Sequence, residues 1–83
     1  MIKVAFIYAD GCSDCLRMRF ILEKYLDHLE IIEAEADEDR AVSLALENGI
    51  EDLPGCNILG DVFQGEKFSS KKLEKCIKNH INS

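Results

Sequence analysis

The stretch that decides the fold comprises residues 2–15, Ile-Lys-Val-Ala-Phe-Ile-Tyr-Ala-Asp-Gly-Cys-Ser-Asp-Cys. Its first eight residues are β-branched, aromatic or small with almost no polar interruption, which is typical of a central strand buried on both faces. Asp10-Gly11 ends this strand as a turn. Residues 13–29 repeat apolar side chains at intervals of three and four, which predicts a helix. The stretch therefore places Cys12 and Cys15 where a buried strand passes into a helix.

The rest of the chain continues to alternate strands and helices. Residues 29–36 predict a second strand, whose glutamates indicate a sheet edge. Residues 38–48 predict a short helix with Asp37 as its N-cap, stopped by Asn48-Gly49. Residues 56–59 and 62–64 predict a hairpin that turns at Gly60-Asp61. Ser69 or Ser70 caps a final helix, so the order is β-α-β-α-β-β-α, with the first strands parallel.

Two helices have apolar positions that predict their buried faces. On the helix over residues 13–29 these positions are Leu16, Phe20, Ile21, Leu22, Tyr25, Leu26 and Leu29. On the final helix they are Leu73, Cys76, Ile77, His80 and Ile81.

Size and charge limit the classes of function. A chain of 83 residues suits one domain, residues 1–83. Its net charge is −6, and residues 1–50 hold 11 acids against 5 bases, which argues against a nucleic-acid partner. No segment has the roughly 18 consecutive apolar residues that cross a membrane. The apolar start runs straight into the Cys pair instead of a cleavage site, so we expect a cytoplasmic protein.

The spacing of Cys12 and Cys15 carries the chemistry. The unpaired N–H groups and the dipole at a helix start favour a thiolate, which makes Cys12 the predicted nucleophile. Cys15 lies one turn later on the same face and is the predicted resolving thiol. Asp14 and Asp10 oppose the thiolate, whereas Arg17 offsets them if it turns back toward Cys12.

The sequence resembles the thioredoxin/glutaredoxin superfamily in the segment Gly11-Cys12-Ser13-Asp14-Cys15 between strand and helix, in Leu53-Pro54-Gly55 before a hairpin, and in Gly65 before a closing helix. It is most similar to the small, glutaredoxin-sized thioredoxin-like proteins, the small redox-active disulfide proteins. The resemblance implies a thioredoxin-like α/β fold, with a four-stranded mixed sheet flanked by three helices. It implies a disulfide oxidoreductase with Cys12 and Cys15 as catalytic residues.

The resemblance also implies the surroundings of the Cys pair. Substrate contacts fall to Gly11, Ser13, Asp14, Leu53 and Pro54, with a cis bond before Pro54 facing the cysteines. Neither a cofactor nor a metal is expected. The expected partners are disulfide-containing proteins and an electron donor, either a reductase or glutathione, with no membrane association and a monomeric state.

The chain departs from the larger families in four places. Gly11 stands where thioredoxins have Trp, and Phe6 stands where they bury an acid on the first strand. Asp52-Leu53-Pro54 and Gln64-Gly65-Glu66 replace the Thr-Val-Pro and Gly-Gly-x-x-Asp elements of glutaredoxins. These departures leave the electron donor unidentified.

Three alternative interpretations use the same residues. A Cu(I) carrier also places Cys-x-x-Cys between a strand and a helix, but its chain order, β-α-β-β-α-β, ends in a strand. A structural zinc site would add two of Cys56, Cys76, His28 and His80 to the pair. A non-catalytic binding module would keep the fold without turnover. By default Cys56 and Cys76 are core residues, and each histidine stands alone near a helix end.

Overall fold

One sheet contains four strands, β1 (Ile2–Tyr8), β2 (Leu29–Glu35), β3 (Gly55–Ile58) and β4 (Asp61–Gln64). Their order is β2-β1-β3-β4, so β1 is a central strand. The computed structural model describes residues 1–83. Strand β2 pairs with β1 in parallel and forms one sheet edge, as its glutamates predict. Strand β3 pairs with the other side of β1 in antiparallel fashion, and β4 completes the hairpin.

Helices α1 (Ser13–Glu23), α2 (Asp39–Glu47) and α3 (Ser70–Ile81) complete the order β-α-β-α-β-β-α. This confirms the predicted α/β class, with a four-stranded mixed sheet and three helices. None of these helices combines the length and the apolar character that a bilayer crossing requires.

The two faces of β1 build two separate cores. Val4 and Phe6 point to one face and belong to the larger cluster, which includes buried residues of α1 and α3. Ile7 points to the other face and packs with Ala34, Ala41 and Ile50 in the smaller cluster under α2. Because successive strand side chains alternate between faces, one apolar strand serves both cores. The sheet is therefore the middle of three layers.

The predicted buried face of α1 is right at Ile21 and Leu22 and wrong at three other positions. Leu16, Phe20 and Leu26 are exposed, and the helix ends at Glu23 instead of continuing to residue 29. The residues that α1 buries are Cys15, Met18, Ile21 and Leu22. Spacings of three and four place these four on one face of a helix, and the tight turn at residues 9–12 aims that face at the sheet. The strand-to-helix junction, rather than the count of apolar residues, decides which side packs.

One helix cap and the hairpin turn differ from the prediction, whereas a second helix cap agrees with it. Glu38, not Asp37, is the N-cap of α2, and its carboxylate accepts a hydrogen bond from the Glu35 N–H at 2.6 Å. The hairpin turns at Leu59-Gly60 rather than Gly60-Asp61, with positive φ at both residues. Ser69 is confirmed as the N-cap of α3, accepting from the Lys72 N–H at 3.1 Å.

Candidate functional site

Cys12 is the N-cap residue of α1, with an extended backbone that brings its sulfur over the first turn of the helix. Its Sγ accepts a hydrogen bond from the Cys15 N–H at 3.1 Å. That N–H is one of the groups that a helix start leaves unpaired. Cys12 and Cys15 form a disulfide, with their Cα atoms 5.2 Å apart. The structure thus brings the two predicted thiols together at a strand-to-helix junction.

The two sulfurs differ in exposure. Cys15 is buried, with only 3% of its surface exposed, and its Sγ accepts from the Ala9 N–H at 3.4 Å. Cys12 is half-buried, between the exposed residues Gly11 and Ser13. A sulfur atom of a substrate can therefore reach Cys12 from solvent, whereas Cys15 is shielded.

A pocket of about 300 Å³ opens beside the disulfide. One wall is the Tyr8 ring, over which the Arg19 guanidinium lies at 4.6 Å. Arg19 donates to both carboxylate oxygens of Glu33 at 2.9 and 3.1 Å, and this hydrogen bonding raises the pKa of Arg19. The other wall includes Leu16, which is 65% exposed. Arg19 and Glu33 are not among the predicted site residues, since nothing in the local sequence pattern links a helix residue to a particular position on the edge strand.

The charge around the pair is mostly negative. Arg17 forms an ion pair with Asp14 at 3.2 Å and spends its other donors on the segment before α3. Arg17 therefore offsets the negative charge of Asp14 by pairing with it, and its guanidinium has no hydrogen bond to Cys12. Repulsion from Asp37, reinforced by partial desolvation and by Asp10, raises the pKa of Glu35 at the end of β2. Asp10, Glu35 and Asp37 thus form an acidic rim beyond the disulfide.

The segment before β3 lies at the same end of the sheet as the Cys12–Cys15 disulfide. Gly55 pairs with Ile7 near the carboxyl end of β1, the end from which Gly11 and Cys12 follow. The Leu53–Pro54 peptide bond is cis, and Pro54 is buried. The Pro54 carbonyl accepts from the Gly65 N–H at 2.9 Å. The Leu53 N–H donates to the Asp52 carboxylate at 2.8 Å, whereas the Leu53 carbonyl accepts no hydrogen bond within the chain.

The two other cysteines have different surroundings. Cys56 is fully buried beside Phe6, which confirms the core prediction, and desolvation raises the pKa of its thiol to about 12. The core prediction for Cys76 holds only in part, because its side chain packs against the larger cluster but is not fully buried, and the prediction that His80 stands alone is wrong. Cys76 is only partly buried, and both side chains lie within hydrogen-bond distance of Asp61. His80 is therefore not alone.

No model of a protein family matches the chain, and no curated protein matches its sequence. Solved structures do match. An uncharacterized thioredoxin-like protein from Clostridium perfringens has a TM-score of 0.71 at 17% identity, covering 95% of this chain and 70% of that one. Mitochondrial thioredoxin 3 from Saccharomyces cerevisiae has a TM-score of 0.68 at 22% identity, covering 94% and 77% of the two chains.

Fasciola hepatica thioredoxin also has a TM-score of 0.68, at 19% identity, covering 95% of this chain and 80% of that one. At these identities the likeness is one of fold. The Cys12–Cys15 disulfide is an observation on this chain itself and indicates redox chemistry. By its architecture and its Cys-x-x-Cys pair, this chain is a protein of thioredoxin-like fold, as the resemblance in its sequence predicts.

Proposed function

We propose that the chain is a thiol–disulfide oxidoreductase in which Cys12 is the nucleophile and Cys15 the resolving thiol. The observation that carries this proposal is the position of the Cys12 sulfur, which caps α1 and accepts the Cys15 N–H. A negative charge on that sulfur is stabilised by the helix dipole and by this hydrogen bond. Cys15, shielded from solvent, is suited to attack only a partner already attached to Cys12.

The proposed reduction takes two exchange steps. The Cys12 thiolate attacks one sulfur of a substrate disulfide, forms a mixed disulfide, and expels the other substrate sulfur as a thiolate that takes up a proton. Cys15 then loses its proton and attacks the Cys12 sulfur. The Cys12–Cys15 bond forms and the second substrate thiolate leaves. Two electrons pass from the dithiol to the substrate, and the reverse sequence oxidises a dithiol.

The surroundings favour a protein as the substrate. The free Leu53 carbonyl offers an acceptor to the main chain of an extended peptide, as in strand addition. The Leu53 N–H becomes available to that peptide once the Asp52 carboxylate swings away. Leu16 adds an exposed apolar contact beside the disulfide. Gly11, Ser13, Asp14 and Pro54 complete the substrate surface in this proposal.

The acidic rim bears on the electron donor. Glutathione carries a net negative charge, so repulsion from Glu35, Asp37 and Asp10 disfavours its approach. We therefore propose a dithiol protein, such as a reductase, as the donor. Comparing the two donors in a coupled turnover assay tests this part of the proposal separately, and faster turnover with glutathione contradicts it.

Substitution of each thiol tests the main proposal. With insulin as the disulfide substrate, Cys12→Ser should abolish exchange, whereas Cys15→Ser should accumulate a mixed disulfide, detected by mass spectrometry as an adduct on Cys12. Cys56→Ala is the matched control, because its thiol is buried away from solvent, and it should keep exchange activity. A Cys12→Ser variant that still reduces insulin, or a wild-type chain that never does, refutes the proposal, and the second result favours a binding module.

A further inference from the structure

A second group of reactive side chains lies between α3 and the hairpin. Cys76 and His80, one helical turn apart, both face Asp61, the first residue of β4. The Asp61 Oδ2 atom is 3.4 Å from Cys76 Sγ and 3.1 Å from His80 Nε2. The ligand atoms of all three residues lie within 4.8 Å of one another.

This group is remote from the Cys12–Cys15 pair. Asp61 pairs with Ile58, and Ile58 with Val4 near the amino end of β1. The disulfide follows the carboxyl end of β1, the end that Gly55 pairs with. The two groups therefore occupy opposite ends of the sheet, and the proposed exchange chemistry makes no use of Asp61, Cys76 or His80.

We propose that Asp61, Cys76 and His80 bind a zinc ion through one carboxylate oxygen, one thiolate sulfur and one imidazole nitrogen. Zinc takes these three donor types in four-coordinate sites. The edges of a tetrahedral zinc site with such ligands are about 3.3–3.6 Å long. The two distances to Asp61 are already close to that length, and the Cys76 sulfur and the His80 nitrogen are at most 4.8 Å apart, so side-chain rotations bring the three atoms around one ion.

The fourth coordination position faces open space. A cavity of about 510 Å³ adjoins the three ligands, and Lys72, Lys75 and Asn79 are among its lining residues. A water molecule or a small anion entering from this cavity completes the tetrahedron. The lysines do not forbid the ion, because one thiolate and one carboxylate balance its two charges. They favour an anionic fourth ligand.

Without the ion, the Cys76 thiol donates a hydrogen bond to the Asp61 carboxylate. Partial burial, together with the Asp61 carboxylate, raises the pKa of that thiol to about 11. A thiol held protonated in this way is a poor nucleophile. This geometry therefore does not provide a second site for thiol–disulfide exchange. Zinc binding replaces the proton: the sulfur–hydrogen bond breaks, a sulfur–zinc bond forms, and one proton leaves to buffer. No electron is transferred.

Cobalt(II) and zinc titrations of the full chain test the site, with the Cys12–Cys15 disulfide kept oxidised so that its sulfurs do not compete. Co²⁺ should bind at one equivalent, with thiolate-to-metal charge-transfer absorption and the visible bands of a tetrahedral centre, and Zn²⁺ should displace it. Cys76→Ser should lose the charge-transfer band, and both His80→Asn and Asp61→Asn should weaken binding by at least about tenfold. His28→Asn, which changes the other histidine, should bind like the wild type.

Circular dichroism of each variant shows whether lost binding reflects lost folding. A second readout is thermal: Zn²⁺ should raise the melting temperature of the wild type and leave that of Cys76→Ser unchanged. Charge-transfer absorption that survives in folded Cys76→Ser, or the absence of any binding to the wild type in excess Co²⁺, overturns the proposal. Either result leaves the proposed exchange reaction untouched, because that reaction uses other residues.

Discussion

Replacing Arg17 with methionine should destabilise the fold by about 2 kcal/mol. Arg17 joins α1 to the segment between β4 and α3. It donates to the main-chain carbonyls of Phe68 and Glu66, each at 3.1 Å, and to the Ser70 hydroxyl. Its guanidinium lies 3.8 Å from the centre of the Phe68 ring. Methionine keeps most of the aliphatic length but none of these donors.

The magnitude follows from how exposed these contacts are. Stacking of the guanidinium on Phe68 contributes about 0.5–1 kcal/mol. A hydrogen bond from a charged donor contributes about 1.5–3 kcal/mol when it is desolvated. The Arg17 side chain is 37% exposed, so we count only about 0.5 kcal/mol for each carbonyl and little for the Asp14 ion pair. In a domain of this size, about 2 kcal/mol lowers the melting temperature by about 8–16 °C.

Chemical and thermal unfolding of the oxidised chain, followed by circular dichroism, measures the loss. Lys71→Met is the matched control, since Lys71 is exposed and in no ion pair, and it should change stability by at most about 0.5 kcal/mol. Arg17→Lys should recover only part of the loss, because lysine keeps the charge without the planar fork. If Arg17→Met is no less stable than Lys71→Met, the contacts of Arg17 do not stabilise the fold.

Three further outcomes test the core and the site. Because burial raises the pKa of the Cys56 thiol from 9.0 to about 12, the unfolded chain loses this proton first. Stability should therefore fall above about pH 9, by up to about 1.4 kcal/mol per pH unit for this thiol. Denaturant titrations of Cys56→Ala should show a shallower fall, to which Cys76 still contributes because the pKa of its thiol is also raised. Leu16→Ser should slow reduction of insulin but not of a small aromatic disulfide, and an equal loss with Leu46→Ser, exposed on α2, would contradict this. Gly55→Ala should cost about 1–3 kcal/mol, because its Cβ would lie 2.2 Å from Ile50 Cγ2; an unchanged denaturation midpoint counts against that packing.

Local patterns predict the elements of this fold better than they predict its contacts. The apolar run in β1 and the Cys-x-x-Cys after it place a buried strand, a turn and a helix N-terminus, because each depends on neighbouring residues. The face that α1 buries depends on the direction in which the junction aims the helix, so Leu16 and Phe20 mislead and Met18 is missed. Asp61 meets Cys76 and His80 only because the hairpin and α3 dock in one register. The spacing of Cys76 and His80 is visible in the sequence, but their third partner is not.

Phe6 bears on where the Cys15 proton goes in the proposed mechanism. The larger thioredoxins that the sequence resembles bury an acid at this strand position, whereas Phe6 is 1% exposed and stacks on Tyr8 with ring centres 5.5 Å apart. A small domain buries only about 60% of its unfolded surface, so replacing this ring with an unpaired carboxylate would be a heavy loss. No polar or charged side chain is buried anywhere in the chain. In the proposed mechanism, the proton that Cys15 loses in the second exchange step therefore leaves through the pocket, to water, to Asp10 on the pocket wall or to the departing substrate thiolate. The pocket through which the substrate reaches Cys12 is thus also the route by which the Cys15 proton reaches its acceptor.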